Sequence, residues 1–253
     1  VTLNSKGKSN YMKKFILAIL AAVSVTAYAD NLSGSAGFGT DYRFRGISQT
    51  QDGASVQASV TYTSNYGVYV SGAARSVSAQ EYANSSGAEV DGVIGFKKEL
   101  FNGLTLDVGS ANYFYPGATT DNTDKNFTTN ELFAGLGYGP VSVKYNRSMG
   151  DYFGIANSNG TQYFQADVKY PVPGFEKVNL LAHAGRTYVG QNQDNLNYAD
   201  YNLGASYNFY KSWTASARWY KNGSFGSEVK TADTVDGQKL YKQTVGLVVS
   251  TSF

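Results

Sequence analysis

The stretch Tyr241-Lys242-Gln243-Thr244-Val245-Gly246-Leu247-Val248-Val249-Ser250-Thr251-Ser252-Phe253 alternates in character along its whole length. Phe253, Thr251, Val249, Leu247, Val245, Gln243 and Tyr241 fall in one phase, largely apolar with an aromatic at each tip. Ser252, Ser250, Val248, Gly246, Thr244 and Lys242 fall in the other, small and polar with one cation. Successive side chains of a strand point to opposite faces, so a period of two over this span predicts one long strand at 240–253. Strands of soluble proteins average about five or six residues. A soluble edge strand remains the alternative on this stretch alone.

Working back toward the N-terminus, alternating segments recur, twelve in all from 32–47 to 240–253. The connections after even-numbered segments are short: Ser64 to Tyr66, Lys98 to Gly103, Gly139-Pro140, Pro171 to Glu176 and Asn208 to Ser212. Those after odd-numbered segments are mostly longer. An even number of strands with short turns at one end and long loops at the other is the pattern of an outer-membrane β-barrel, with the long loops outside. The expected fold is therefore all-β, a transmembrane antiparallel up-and-down barrel of about twelve strands. Its closing strand would carry the terminal aromatic of an assembly signal read by the barrel-assembly machinery.

Aromatic positions give a second, independent regularity. The apolar-phase residues at the inner ends of the even strands are Tyr62, Phe96, Tyr138, Tyr170, Tyr207 and Phe253, and Trp213 begins the eleventh strand at the same level. Aromatic rings favour the boundary between headgroups and hydrocarbon, so these residues are expected to form a girdle in the lipid bilayer. Tyr42, Phe44, Phe114, Tyr145, Trp219 and Tyr241 are expected to form its outer counterpart. Charges sort by the same phase. Phe164, Ala166, Val168 and Tyr170 alternate with Gln165, Asp167 and Lys169. A lipid-facing Arg or Lys at mid-bilayer costs roughly 2–4 kcal/mol; nearly all strand charges fall inward, and Arg147 and Arg186, which fall outward, lie near outer strand ends. In the third strand the phase of Tyr69 against Val68 and Val70 stays open.

The N-terminal region has a different character. Met12-Lys13-Lys14, an apolar run from Phe15 to Val25 and Ala27-Tyr28-Ala29 predict a secretory signal peptide over residues 12–29. Residues 1–11 precede Met12 and read as an over-extended start, leaving 30–253 as the barrel. Removing Lys6, Lys8, Lys13 and Lys14, with no acidic residue lost, changes the net charge from +2 to −2. No nucleic-acid footprint then remains. Cysteine is absent, which excludes disulfides and thiolate metal sites, and no cofactor or metal is expected.

The block Gly39-Thr40-Asp41-Tyr42-Arg43-Phe44-Arg45-Gly46-Ile47-Ser48-Gln49 resembles the start of the TorF-type family of proteobacterial outer-membrane porins. Further similarity lies in Glu89-Val90-Asp91, Tyr113-Phe114-Tyr115-Pro116-Gly117, Glu131-Leu132-Phe133-Ala134-Gly135, Asp151-Tyr152-Phe153 and Tyr198-Ala199-Asp200-Tyr201. Arg75-Ser76-Val77 departs from the family's Ser-Asn-Val. The resemblance implies an outer-membrane barrel with a pore in a Gram-negative bacterium, and no particular solute.

Inward-phase charges are then the candidate pore lining: Asp41, Arg43, Arg45, Arg75, Glu89, Asp91, Glu131, Arg218 and Lys242. Strand order puts Arg43, Arg45, Arg218, Lys242 and Arg75 on one side and Glu89, Asp91, Asp107 and Glu131 on strands four to six. A basic wall facing an acidic wall would orient zwitterionic or other small polar solutes in transit. The alternative is a barrel whose charges pair and fill it, with a structural or receptor role, because twelve strands lie between filled eight-stranded barrels and open sixteen-stranded ones. Enzymatic chemistry is not expected. His183 is the only histidine, and a remote hydrolase reading would need Ser216 or Asp200 beside it. Asp121-Asn122-Thr123-Asp124-Lys125-Asn126 lacks the Gly and distal Glu of a calcium loop and reads as a solvated loop. Asp151-Tyr152-Phe153 is a candidate for an inward-folded constriction.

Overall fold

Tight turns set the register of the wall. Asn102 and Gly103 take φ of +47° and +82°, the two left-handed positions of a type I′ turn, whose twist matches that of the strands it joins. Pro173-Gly174, with φ +78° at Gly174, follows the Pro-then-Gly order of a type II turn. A computed structural model describes residues 31–82, 87–119, 127–232 and 234–253. The expected signal peptide, the leading residues 1–11 and the Asp121–Asn126 run lie outside the described residues.

Twelve strands form the wall. They are β1 Leu32–Gly39, β2 Ser55–Thr63, β3 Val68–Ser76, β4 Ala88–Phe101, β5 Leu104–Phe114 and β6 Thr129–Tyr138. They continue as β7 Val141–Ser148, β8 Gln162–Val172, β9 Phe175–Tyr188, β10 Tyr198–Tyr210, β11 Trp213–Gly223 and β12 Thr244–Ser252. Each pairs antiparallel with its sequence neighbours, and β1 pairs with β12 from Ser35↔Ser252 to Gly39↔Val248, closing the barrel. Closure leaves no unpaired edge. At the seam Gly34 and Phe253 exchange main-chain hydrogen bonds of 3.1 Å, and the bare Cα of Gly34 makes room for the Phe253 ring.

The chain is a transmembrane β-barrel in the alternation of its wall. Val60, Ile94, Leu132, Val143, Leu180, Leu203 and Leu247 stand exposed on the outside, while Glu89, Asp91 and Glu131 are buried inside. Tyr69 donates to Asp107 Oδ1 at 2.8 Å inside the lumen and Val68 and Val70 are exposed outside, which fixes the phase of β3. Tyr62, Tyr138, Tyr170, Tyr207 and Trp213 are exposed at the short-turn ends of their strands, where Phe96 and Phe253 are half-buried.

Two strands end earlier than their alternation suggests. The first stops at Gly39 and the last begins at Thr244, so 40–47 and 240–243 are not wall. Tyr42, Phe44 and Tyr241 therefore do not belong to a lipid-facing outer girdle. Tyr42 and Phe44 lie inside the lumen, and Tyr241 packs on Phe225 in a loop with ring centroids 5.1 Å apart. The compact apolar packing sits at the long-loop end. Ile47, Tyr198, Val229 and Leu240 form one cluster there, and Val77, Tyr82, Tyr115 and Ala118 form another.

Candidate functional site

After Gly39 the chain leaves the wall. Thr40 N donates to Leu247 O at 2.9 Å, and the segment then turns into the lumen as a two-stranded hairpin, Arg43–Phe44 paired with Ile47–Ser48. Its tip is Arg45-Gly46, with φ of +48° and +79°, again the geometry of a type I′ turn. Gly46 is obligatory twice over, since it holds a left-handed φ and a Cβ there would collide with the Asn222 amide and Asp200.

Asp41 and Arg43 hold the base of this hairpin. Asp41 Oδ1 accepts from Ser48 Oγ at 2.6 Å and Thr50 Oγ1 at 2.9 Å, and its Oδ2 accepts from Arg43 Nε at 2.6 Å. The Arg43 guanidinium also donates to Asp52 at 2.7 Å and to the carbonyls of Gly46, Leu240 and Lys242. The side chains of Arg43 and Asp41 retain 1% and 6% of their exposure, so this charge pair is desolvated and depends on its full set of partners. Lys242 Nζ lies 2.9 Å from Asp52 Oδ2. Partial burial would raise the Asp52 carboxyl, but hydrogen bonds from Lys242 and Gln238 and the charge of Arg43 outweigh it and hold the group below the usual carboxylate range.

Arg45 carries the tip across to the far wall. Its Nη2 donates to Glu131 Oε2 on β6 at 2.7 Å and its Nη1 to the Tyr152 hydroxyl at 3.0 Å. The guanidinium also lies 4.1 Å from the centre of the Tyr163 ring on β8. Burial pushes the Tyr152 hydroxyl up to about 12 despite the opposing charge of Arg45, so it stays a neutral acceptor. Tyr152 and Phe153 come from the β7–β8 loop, which does fold inward. Phe153 packs edge-on against Phe44 with ring centroids 5.3 Å apart.

A second carboxylate network fixes the side of the hairpin. Glu89 Oε1 accepts from Tyr42 at 2.7 Å and from Arg75 at 3.0 Å, and its Oε2 accepts from Tyr115 at 2.6 Å. Arg75 also pairs with Asp91. Below the tip, His183 Nδ1 faces Asp167 at 2.7 Å and Nε2 faces Asp200 at 2.9 Å, with the Tyr163 hydroxyl 3.0 Å from Nε2. Asp200 is thus a partner of His183, whereas the serine considered with it, Ser216, is opposite Ser206 in the wall and makes no hydrogen bond to the ring.

These placements correct the expected pore lining. Asp41, Arg43 and Arg45 are on the hairpin and not on strand one, and Lys242 precedes the last strand and binds Asp52. Arg75, Glu89, Asp91, Glu131 and Arg218 are on the wall, where Arg218 donates to Asn202 at 2.6 Å. Bare basic and acidic walls do not face each other. Arg75 neutralises Glu89 and Asp91 directly, and Arg45 spans the lumen to neutralise Glu131. Asp52, Asn222, Tyr115 and Tyr163 carry no signal in the sequence as partners of the hairpin, whereas Tyr152 lies in the Asp151-Tyr152-Phe153 stretch expected to fold inward. The Arg45-Gly46 step was the local signal of a turn.

A family model described as a bacterial protein of unknown function (Gcw_chp) matches residues 25–253. The chain belongs to the Gcw_chp family. No curated protein matches it. Among solved structures this Gcw_chp barrel is similar to a NanC porin, with a TM-score of 0.53 and 10% identity over 88% of this chain and 98% of that one. It is similar also to a KdgM porin, with a TM-score of 0.50 and 10% identity over 87% of this chain and 98% of that one. A KdgM porin in complex with disordered oligogalacturonate gives a TM-score of 0.50 at 8% identity, over 88% and 97% of the two chains. At such identities the likeness speaks for the fold.

Proposed function

We propose that this protein is an outer-membrane channel of a Gram-negative bacterium for passive diffusion of small polar or zwitterionic solutes, narrowed by the 40–54 segment. The observation that carries the reading is the Arg45–Glu131 bond, which ties a hairpin formed inside the barrel to the opposite wall. The tie at the tip is made by side chains, so it can be released without dismantling the wall. The fold shared with KdgM and NanC porins supports the reading, as does the resemblance to TorF-type porins, whose most specific block is the hairpin itself. Between the hairpin and the short turns the lumen presents both signs, with Asp107 beside Lys144, Asp167 beside His183, and Arg218. Such a lining favours dipolar solutes over strongly charged ones. Assembly is proposed to start from recognition of β12 by the barrel-assembly machinery.

Single-channel recording in planar bilayers tests this. The wild type is expected to conduct in small steps, and a variant with residues 42–49 replaced by a short Gly-Ser linker in larger ones. The second reading, a closed barrel with a structural or receptor role, is favoured by the two aromatic-rich clusters roofing the long-loop end. It stands if neither protein conducts nor swells proteoliposomes.

A further inference from the structure

The lipid-facing surface is not uniform. Across β5–β10 it is hollowed into an apolar groove of about 750 Å³, floored by Ala134, Ala166, Ala184 and Ala199 and flanked by Tyr145 and Phe164. These alanines, on β6, β8, β9 and β10, leave the groove open between Tyr145, Phe164 and the neighbouring Leu106, Leu136 and Val143. Three cations stand at the long-loop end of the same face. Arg147 lies opposite Gln162 on β7–β8, Arg186 opposite Phe164 and Ala199 on β8–β10, and Lys221 opposite Tyr201 on β10–β11. The outward positions in the long-loop halves of β7–β11 hold no acidic residue. None of the three cations is in an ion pair among the described residues. Arg186 is held in place by donation to Ser224 O at 3.1 Å and by the Tyr188 ring, 5.3 Å away. Two strand spacings separate successive cations, on the order of 10 Å each. Outward positions in the long-loop halves of the other seven strands carry no charge at all.

We propose that this face is a binding site for a phosphorylated, multiply acylated glycolipid of the outer leaflet, with phosphates on Arg147, Arg186 and Lys221 and acyl chain in the alanine groove. Guanidinium groups beside phosphate give short charge-assisted bonds, and a site at the hydrocarbon edge strengthens them relative to water. A second copy of the chain does not fit the same evidence, because a two-fold contact would set this one-signed arc against itself. The inference rests on the outer-membrane reading for its orientation and not on conductance.

Native mass spectrometry of the folded barrel tests it, with bisphosphorylated hexa-acyl lipid A, its monophosphoryl form, phosphatidylethanolamine and inorganic phosphate as probes. The expected order of retention is bisphosphoryl, then monophosphoryl lipid A, then phosphatidylethanolamine, with at least a tenfold difference between the ends. The R147Q/R186Q/K221Q variant is expected to lose that tenfold preference, and Ala166→Phe, which fills the groove with the cations intact, to weaken every acylated probe. Equal retention of bisphosphoryl lipid A by the wild type and the triple variant overturns the proposal. So does full displacement of the lipid by millimolar phosphate, which would make the arc a simple anion site. Heat-modifiable gel migration checks folding, and the R147Q/K221Q pair, both fully outward, replaces any triple variant that fails it. A barrel that never conducts yet shows this preference retains the lipid site and loses only the channel reading.

Discussion

Arg45 Nη2 sits 2.7 Å from Glu131 Oε2, with 5% and 0% of the two side chains exposed, and joins residues 86 positions apart across the inside of the barrel. A pair so far removed from water is costly to break on one side, about 3–5 kcal/mol, because the remaining charge loses its counterion.

Arg45→Ala is therefore expected to release the hairpin tip, and Glu131→Gln to do so more weakly because the amide still accepts from the guanidinium. Both should raise single-channel conductance and proteolysis of the 40–54 segment while the heat-modified gel shift of the barrel persists. The Arg45→Met/Glu131→Leu double variant should restore protection, since it removes both charges together. A double-mutant cycle on protease protection with no coupling between the two positions counts against the cross-lumen tie.

Gly46→Val tests the turn. A branched residue at φ +79° costs about 1–3 kcal/mol, before any clash with Asn222 and Asp200 is counted. The wall is built without this residue, so the same release of the hairpin is expected with β-content by circular dichroism unchanged. Loss of the whole barrel would show that the hairpin is part of the folding core.

Acid should loosen the hairpin base through Asp52. Its folded-state pKa is depressed by Lys242, Gln238 and Arg43, so its contribution is complete above the unfolded value, roughly 4, and is lost as pH falls through the lower folded value. Channel noise or conductance is expected to rise as pH falls below about 4 in the wild type. Asp52→Asn should show that looser behaviour already at pH 7, with the step in this window reduced. An unchanged acid response in Asp52→Asn assigns the effect to other carboxylates.

Phe253 and Lys242 should separate assembly from permeation. Deleting Phe253 removes both main-chain bonds to Gly34 and the ring that covers it, and is expected to lower the folded, membrane-inserted fraction severalfold. Lys242→Glu places a carboxylate beside Asp52 and should alter conductance with little effect on yield, and Asp52→Lys added to it should reverse the change. Equal yields for the wild type and the Phe253 deletion remove the seam from the assembly account.

The wall was legible because a period of two reports strand and face together, from Phe164-Gln165-Ala166-Asp167 to Val245-Gly246-Leu247-Val248. The same period misleads at Asp41-Tyr42-Arg43-Phe44-Arg45, which alternates just as well in a hairpin within the lumen as in a wall strand. Periodicity carries no information about which sheet a strand joins. Tyr42 and Phe44 consequently read as lipid-facing aromatics, while their real partners, Glu89 and Phe153, come from 47 and 109 residues along the chain. The acidic cluster at Glu89, Asp91 and Glu131 could be placed on the wall from strand order, but its neutralisation depends on a segment whose direction the alternation leaves undetermined. Tyr241-Lys242-Gln243 overruns the last strand for the same reason.

The seam between β1 and β12 has a further consequence when its position is set beside that of the hairpin. The first wall strand is followed at once by the hairpin, and its other edge is the last to be paired. All other neighbouring strands can dock while the sheet is still an open curl, so the charged segment has that whole interval to find Glu89 and Glu131 on the concave side. Once Phe253 meets Gly34 the ring is shut. A hairpin still outside would then enter only through the long-loop mouth, past the clusters that pack there. The order of elements along the chain thus sets the constriction directly beside the strand whose pairing completes the barrel.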